Sequence, residues 1–222
     1  MTQAQLLADG INEMNLNVSQ QAQEKLLAYL KLLQKWNKVY NLTSVRDPLD
    51  MVTLHLLDSL SVLPYIKTKS LLDVGSGGGL PGIVLAICMP DLQVTTIDTV
   101  QKKTIFMRQV KGELGLSNCT VVHARVEKYV AQSKFDAIIS RAFSDIALFI
   151  KLTQHLIAPS GQWLAMKGLM PIAEISDSDI KPTSVIPLKV AGLDAKRHLL
   201  IFTNNGAEQK ALKTDQSLES CK

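Results

Sequence analysis

The sequence predicts an α/β protein in which an open, mostly parallel β-sheet follows a helical N-terminal segment. Residues 1 to about 65 carry only helical signals, and after Pro64 short β-rich runs alternate with helical ones. A glycine-rich stretch directly follows the first β-rich run. Because strand–helix–strand connections are right-handed and bring the next strand in parallel, the alternation predicts a parallel sheet.

The N-terminal segment is predicted to form at least two amphipathic helices. Four residues repeat at helical spacing after Ser19, a residue suited to an N-cap: Leu26, Leu30, Leu33 and Trp36. Asp47 and Pro48 then start another helix, which runs through His55 to Leu63. We therefore expect a helical appendage over residues 1–66, a sheet domain over 67–204 and a polar tail over 205–222.

The sheet domain is predicted to contain seven strands. They span residues 70–74, 93–98, 120–123, 135–140, 162–166, 184–190 and 199–203. The predicted helices between the first five strands span residues 81–89, 101–114, 126–130 and 145–157. The last two strands are too close together for a crossover helix, so we expect the final strand to be antiparallel.

Composition limits the protein class. The 222 residues are 46% hydrophobic and 20% charged, with a net charge of +4, which is typical of a globular protein. No apolar run approaches the ~18 residues of a membrane helix, and the N-terminus lacks the basic region of a signal peptide. Three cysteines and four histidines show no metal-ligand spacing. We expect a monomeric cytoplasmic protein with no metal and no membrane contact.

The glycine-rich stretch, "LLDVGSGGGLPG" at residues 71–82, has two interpretations. Gly77, Gly79 and Gly82 match G-x-G-x-x-G, the dinucleotide fingerprint, which receives a pyrophosphate. From Asp73 and Gly75 onward the same stretch reads D-x-G-x-G-x-G, which is typical of class I methyltransferases that use S-adenosylmethionine. The first ligand is negative at the loop, whereas the second brings an ammonium and a sulfonium.

Asp73 favours the second interpretation. It lies at the end of the first strand, and ligands of open α/β sheets bind at the carboxyl ends of strands. A partly buried carboxylate there would repel a pyrophosphate and attract a cation. The loop therefore predicts a cationic ligand.

Several further motifs appear in a fixed order along the chain: "KWNKVYNLTSVRDP" (35–48), "HLLDSL" (55–60), "LLDVGSGGGLPGI" (71–83), "ISRAF" (139–143), "MKG" (166–168) and "RHLL" (197–200). From about residue 20 to about residue 203 the chain closely resembles the small-subunit ribosomal RNA methyltransferase G family, also called glucose-inhibited division protein B. The resemblance implies a class I S-adenosylmethionine-dependent methyltransferase fold, which is Rossmann-like. It also implies methylation of N7 of a guanine in the decoding-region loop of bacterial 16S rRNA, within the small ribosomal subunit.

Two positions depart from the family's pattern. Gly78 stands where proline or alanine is frequent, which should loosen the loop slightly through backbone entropy. Leu54 stands where a basic residue often precedes the histidine, which removes one candidate RNA phosphate contact. Neither departure alters the reasoning about the cofactor.

The candidate cofactor residues lie at the ends of successive strands. Asp98 follows Gly75 by 23 residues, near the ~20-residue spacing at which a carboxylate reaches a ribose, although a helix N-cap is the alternative. The resemblance places Val126 and Glu127 at the adenine, while Glu127 could equally be a first-turn helix charge. The complete predicted cofactor set is Asp73, Gly75, Gly77, Gly79, Leu80, Asp98, Val126, Glu127 and Arg141.

Arg141 is the candidate catalytic residue, in a positioning role. The "SRAF" sequence after the fourth strand lacks the Asn/Asp-Pro-Pro-aromatic motif of amine methylation and the cysteine of pyrimidine C5 methylation. Guanine N7 has a lone pair and no proton to lose, so transfer needs in-line positioning rather than a base. Arg141 could bind guanine O6, a phosphate or a cofactor carboxylate, with a structural ion pair as the alternative.

The candidate RNA-binding residues are Arg46, His55, Lys167 and Arg197. Each of them also has a possible role that does not involve RNA. Lysine and arginine could contact phosphates or be surface charges. His55 shares a helix face with Asp58, so a structural hydrogen bond is at least as plausible a role for it.

Three basic clusters leave a further question open. Two lie on predicted helices, and the third lies near the end: Lys31, Lys35 and Lys38, with Arg46 following; Lys102, Lys103, Arg108 and Lys111; and Lys196, Arg197 and His198. Each cluster alone is typical of a solvated face. The sequence does not indicate whether these clusters lie on one side of the protein.

Overall fold

The computed structural model describes residues 1–141, 143, 145–169 and 180–204. It contains a seven-stranded sheet of order β3-β2-β1-β4-β5-β7-β6. The strands are β1 (Ser70–Val74), β2 (Gln93–Asp98), β3 (Cys119–His123), β4 (Phe135–Ser140), β5 (Ile157–Lys167), β6 (Ser184–Leu188) and β7 (Arg197–Thr203). Strands β1 to β5 pair in parallel, and β7 is antiparallel to both β5 and β6. The predicted fold class, including the antiparallel last strand, is confirmed.

The helices before the sheet are α1 (Gln3–Glu13), α2 (Gln20–Tyr40), α3 (Pro48–Met51) and α4 (Asp58–Leu60), with a π-helical segment (Val52–Leu57) joining the last two. The helices within the sheet domain are α5 (Gly82–Cys88), α6 (Gln101–Leu114) and α7 (Ile146–Thr153). Single 3₁₀ turns occur at Leu63–Tyr65 and Val126–Lys128. Among the described residues, no helix combines the length and apolarity needed to span a bilayer.

Local chemistry explains where the N-terminal helices begin and end. The side chain of Ser19 accepts a hydrogen bond from the backbone N–H of Ala22 (3.2 Å), so the predicted N-cap of α2 is confirmed. Asn41 ends α2 in the left-handed conformation, at φ 48°. Asp47 caps α3, with Pro48 in the first turn, where its missing N–H costs nothing.

Two hydrophobic layers cover the two faces of the sheet. One contains α5 and α6 together with the helices that precede β1, so Leu26 and Leu57 share a core with Ile83 and Phe106. The other contains α7, through Phe149. The N-terminal helices therefore pack into one layer of the sheet domain.

Several sequence-based bounds were wrong: strand 184–190 ends at Leu188, and strand 199–203 begins at Arg197. Helix 145–157 ends at Thr153, because Ile157 pairs with Phe135 and already belongs to β5. For the same reason, β5 begins five residues before the predicted strand 162–166. The predicted helix 126–130 is a single 3₁₀ turn over Val126–Lys128. The predicted polar tail, 205–222, lies outside the described residues.

Candidate active site

The glycine loop connects the end of β1 to the start of α5 at the carboxyl edge of the sheet. Gly75 has φ 69° and Gly79 has φ 95°, both in the region that favours glycine. A Cβ atom at Gly79 would also collide with the side chain of Ile83. The loop therefore bends back tightly and leaves its outer side to a ligand.

Most backbone N–H groups of this loop are used within the chain. The six that donate to protein acceptors are those of Gly75, Ser76, Gly77, Gly79, Leu80 and Gly82. A phosphate-binding loop instead points free N–H groups at its ligand. The glycine loop thus lacks the feature on which pyrophosphate binding depends.

Asp73 is fully buried beneath the loop. Its Oδ2 accepts a hydrogen bond from the N–H of Gly82 at 2.8 Å, so the protein's own carboxylate caps the start of α5. The buried Oδ1 has no hydrogen-bond partner among the described residues. Burial raises the pKa of Asp73 to about 7. An anion already occupies the place that a pyrophosphate would take, and this fits a ligand that brings positive charge.

A cavity of about 320 Å³ opens beside the loop, and we call it the β2–β3 cavity. Its lining includes Gly75, Asp98, Lys103, Val126 and Glu127. Four of the predicted cofactor residues therefore lie together here.

Asp98 connects two loops at the mouth of the β2–β3 cavity. Its Oδ2 accepts from the N–H of Gly77 at 2.9 Å, and its Oδ1 accepts from the N–H of Val100 at 2.8 Å. Lys103 Nζ lies 3.9 Å from Oδ2. Asp98 therefore does accept a local backbone hydrogen bond before α6, as the capping alternative expects, and its contact with a ribose stays a prediction.

Glu127 and Val126 form the far wall of the β2–β3 cavity. Val126 is buried, whereas Glu127 is exposed. The Glu127 Oε1 accepts from Arg125 Nε at 2.7 Å. A backbone hydrogen bond and this arginine lower the pKa of Glu127, so the side chain presents a fixed negative charge.

A second cavity, of about 250 Å³, lies on the other side of Gly75, and we call it the glycine-loop cavity. Its lining combines the loop with the N-terminal segment and β4: Leu33, Leu42, Thr43, His55, Gly75, Ser76, Gly77, Gly78, Leu80 and Arg141. The predicted cofactor residues Gly77, Leu80 and Arg141 meet here. Gly79 lines neither of these cavities.

Tyr29 ties α2 to the glycine loop. It is fully buried, and its hydroxyl donates to the carbonyl oxygen of Gly78 at 2.8 Å. Burial also raises its pKa, so it remains protonated and can donate. A Cβ atom at Gly78 would lie 3.3 Å from Leu33, so the departure at Gly78 leaves slightly more room beside this helix.

A third cavity, of about 390 Å³, is lined by residues from several segments of the chain, and we call it the arginine cavity. These residues are Val45, Leu54, His55, Asp58, Arg141, Met166, Lys167, Gly168, Leu188, Arg197 and His198. It adjoins the glycine-loop cavity, since His55 and Arg141 line both. Gly75, His55 and Arg141 thus connect the three cavities into one groove.

One carboxylate holds both arginines of the arginine cavity. Asp58 Oδ2 accepts from Arg141 NH1 at 2.9 Å, and Asp58 Oδ1 accepts from Arg197 Nε at 3.0 Å. Asp58 is 4% exposed and the arginines are 28% and 25% exposed, so the contacts are well shielded from water. Arg141 also donates to the carbonyl oxygen of Leu54 at 3.1 Å. The structural ion pair considered for Arg141 exists, and the guanidinium still reaches two cavities.

His55 lies between the glycine-loop and arginine cavities. Its Nε2 is hydrogen-bonded to the hydroxyl of Thr43 at 2.9 Å. Burial and the nearby Arg141 lower its pKa to about 4, so the ring is neutral near pH 7. The side chain is 5% exposed, which makes it a wall of the groove rather than a surface contact.

The remaining predicted RNA-binding residues are placed differently from one another. Lys167 lines the arginine cavity, and its Nζ donates to the carbonyl oxygen of Phe143 at 3.0 Å. Arg46 lines none of the three cavities. It caps the end of α2 by donating to the carbonyl oxygen of Asn37 (3.2 Å) and to Asn41 Oδ1 (2.7 Å). Whether these residues contact RNA stays a prediction.

Tyr29, Thr43 and Asp58, which make hydrogen bonds or ion pairs at the groove, were not identified from the sequence as site residues. Thr43 lies in the "NLTS" motif and Asp58 in "HLLDS", two motifs that are more specific to the family than the glycine loop. The Thr43–His55 hydrogen bond joins these two motifs, and the ion pairs of Asp58 join the second motif to Arg141 and Arg197. Tyr29 carried no local signal, since a tyrosine within an apolar helix stripe is typical of a core.

Comparison with known proteins agrees with this geometry. A family model described as rRNA small subunit methyltransferase G matches residues 22–200. The chain is 63% identical over 198 residues to the ribosomal RNA small subunit methyltransferase G of Methylobacillus flagellatus, covering 89% of this chain and 97% of that protein. It is 52% identical to the protein of that name from Aromatoleum aromaticum, covering 91% and 99%.

Solved structures show the same fold at low sequence identity. A putative O-methyltransferase from Klebsiella pneumoniae superposes with a TM-score of 0.55 at 13% identity, covering 79% of this chain and 89% of that one. A SAM-dependent methyltransferase from Aquifex aeolicus gives a TM-score of 0.54 at 18% identity, covering 79% and 97%.

Proposed function

The chain belongs to the rRNA small subunit methyltransferase G family, and from that premise we propose that it methylates N7 of a guanine in the decoding-region loop of 16S rRNA, with S-adenosylmethionine as the methyl donor. The observation that carries the choice of donor is the buried Asp73 at the start of α5. It supplies the negative charge itself and leaves the loop suited to a cationic ligand.

The two cavities on either side of Gly75 divide the cofactor between them. The β2–β3 cavity takes the adenosine, with Asp98 at the ribose and Val126 against the adenine. The glycine-loop cavity takes the methionine part, close to the buried Asp73 and to Arg141, which can hold its carboxylate. S-adenosylmethionine supplies, when bound, an electrophilic methyl group on a sulfonium.

The arginine cavity receives the guanine. It adjoins the methionine side of the cofactor site, and Arg141, Lys167 and Arg197 bring hydrogen-bond donors to its lining. Arg141 is placed to donate to guanine O6, which would orient the ring without blocking the N7 lone pair. A donor directed at N7 would instead oppose the attack.

No side chain of the groove needs to remove a proton. N7 is unprotonated at neutral pH, so its attack on the methyl group releases no proton, and His55, with its pKa near 4, is only a weak base. The protein's contribution is therefore to orient the guanine, to exclude water and to fix the line of attack. Lys167 and Arg197 hold the phosphates on either side of the target nucleotide.

We infer that a single chain is the working unit, because all three cavities are lined within one chain. A substrate in the small ribosomal subunit places the reaction in the cytoplasm.

The test is to incubate undermethylated small subunits with the purified protein and methyl-labelled S-adenosylmethionine, and then to map the label by nuclease digestion and mass spectrometry. The expected product is N7-methylguanosine at one position of the 16S rRNA. Label on an exocyclic amine or a ribose oxygen would contradict the proposed chemistry. A parallel titration should show binding of S-adenosylhomocysteine and none of NAD.

A further inference from the structure

Two stretches of the chain are basic and contain no acidic residue. Between residues 25 and 46 the charged side chains are Lys25, Lys31, Lys35, Lys38 and Arg46. Between residues 99 and 112 they are Lys102, Lys103, Arg108 and Lys111. The first stretch forms most of α2 and the second forms most of α6.

The fold brings α2 and α6 side by side. The rings of Tyr29 and Trp36 on α2 both contact Phe106 on α6, with ring centroids 6.2 and 5.6 Å apart. Both helices belong to the hydrophobic layer on one face of the sheet. Their outer sides therefore form one surface, which answers the question that the two clusters leave open in the sequence.

We call this surface the α2–α6 face. Its exposed basic residues are Lys31, Lys35, Lys38, Lys102 and Arg108. Within the described part of the chain, none of them has a carboxylate at ion-pair distance, whereas Lys103 is paired with Asp98. Apolar side chains are exposed among them, with Val39 at 70%, Ile105 at 44% and Tyr40 at 43%.

The α2–α6 face borders the groove. Leu33, near the lysines of α2, lines the glycine-loop cavity, as does Leu42 just beyond the helix end. Lys103, next to Lys102, lines the β2–β3 cavity. The face thus flanks the cofactor cavities, whereas Lys167 and Arg197 lie beyond them in the arginine cavity.

We propose that the α2–α6 face binds the phosphate backbone of ribosomal RNA outside the target nucleotide. The inference rests on the proposed function, and it names a second contact area for the same substrate. Uncompensated positive charge at the edge of a nucleic-acid site attracts phosphates and releases their counterions. The exposed tyrosine adds a ring on which an unpaired base can stack.

The experiment compares two triple variants that each remove three positive charges. Lys31→Ala/Lys35→Ala/Lys38→Ala changes the α2–α6 face and keeps helix propensity. Lys67→Ala/Lys69→Ala/Lys134→Ala is the matched control, since these exposed lysines precede β1 and β4 at the opposite edge of the sheet. Binding to undermethylated small subunits is measured at several salt concentrations, together with binding of S-adenosylhomocysteine.

The α2 variant should bind small subunits about tenfold more weakly or worse, and the slope of log affinity against log salt should fall by about 2 to 3 units. The control should keep the wild-type slope, and both variants should keep wild-type affinity for S-adenosylhomocysteine. An unchanged subunit affinity and slope in the α2 variant would overturn the proposal. Binding to phosphatidylglycerol vesicles that depends on these lysines, with subunit binding unaffected, would also overturn it by making a lipid surface the occupant.

Binding is measured here apart from methyl transfer, so the two proposals fail separately. If the wild-type protein places no label on guanine N7, the proposed function fails whatever the variants bind. If the wild type methylates normally and the α2 variant binds subunits as the wild type does, only the α2–α6 face is refuted.

Discussion

Replacing Asp58 with asparagine tests whether one carboxylate positions both arginines of the arginine cavity. The amide keeps one acceptor oxygen and turns the other into an NH₂ donor, which would face an arginine N–H now held at 2.9 or 3.0 Å. Removing one partner of a buried pair costs about 3–5 kcal/mol. Because Arg141 and Arg197 are 28% and 25% exposed, water screens part of this loss, and we expect about 2–3 kcal/mol.

The assay combines urea unfolding with steady-state methylation of small subunits. The free energy of unfolding of Asp58→Asn should fall by the amount given above. Its kcat/KM should fall about 100-fold, because a displacement of about 1 Å in a positioning group has an effect of that size.

Asp136→Asn provides the control. Asp136 Oδ2 accepts the backbone N–H groups of Lys69 and Ser70 at 3.1 and 3.0 Å, at the opposite edge of the sheet from the groove. This variant should also lose stability but keep wild-type kcat/KM under conditions where it is folded. If Asp58→Asn loses no more kcat/KM than Asp136→Asn, Asp58 only stabilises the fold and the reasoning is refuted.

Four further predictions concern the cofactor site and the chemistry. Gly75→Val should abolish calorimetric binding of S-adenosylhomocysteine while circular dichroism stays native, because Gly75 has a positive φ and lines both cofactor cavities; wild-type affinity would exclude the loop as the site. Burial raises the pKa of Asp73 to about 7, and the cationic S-adenosylmethionine favours the ionised carboxylate. The affinity of the wild-type protein for S-adenosylmethionine should therefore rise about eightfold from pH 6.0 to pH 7.5. The affinity of Asp73→Asn should not depend on pH in this range, and a rise equal to that of the wild type would assign the titration to another group. Arg141→Lys should slow single-turnover methyl transfer at least tenfold at saturating cofactor, and the rate of neither protein should rise with pH near pH 7. Full activity of the variant would show that only the positive charge at position 141 matters. Tyr29→Phe, which loses the hydrogen bond to Gly78, should weaken S-adenosylhomocysteine binding about fivefold, and an unchanged affinity would show that the loop holds its shape without that bond.

The raised pKa of Asp73 also determines how the stability of the ligand-free protein depends on pH. The folded-state pKa lies above the usual value of 3.8, so the folded protein binds the proton more tightly than the unfolded chain does. The contribution of Asp73 to stability therefore decreases as pH rises from about 4 to about 7. His55 acts in the opposite sense over nearly the same pH range. Its pKa of about 4, below the usual 6.5, decreases stability as pH falls from about 6.5 to about 4.

The sheet could be predicted closely where a strand is a short apolar run between turn residues. The predicted bounds of β1, β2 and β4 match the structure residue for residue, because buried parallel strands are apolar on both faces and end abruptly. The prediction failed after Asp145, where apolar residues recur from α7 into β5 and no glycine or proline marks a boundary before Pro159. Pairing of Ile157 with Phe135, which no local pattern reveals, decides where that helix ends.

The sequence predicted the groove only where its residues are close together along the chain. The glycine loop is contiguous in the sequence, so its residues could be identified together. The contact between Asp58 and Arg197 joins residues 139 positions apart, and that between Tyr29 and Gly78 joins residues 49 apart. Nothing in one sequence pairs such residues. The same reason explains why the two basic clusters could be recognised singly but their common surface could not.

The hydrogen bond from Tyr29 to the glycine loop has a consequence for how this enzyme can diverge. Leu33, Leu42 and Thr43, all from the segment before β1, form one wall of the glycine-loop cavity. An exchange of that segment for another would therefore change one wall of the cavity and remove support from the cofactor loop at the same time. A chimera that joins this sheet to a foreign N-terminal segment must also restore a hydrogen-bond donor to the carbonyl oxygen of Gly78.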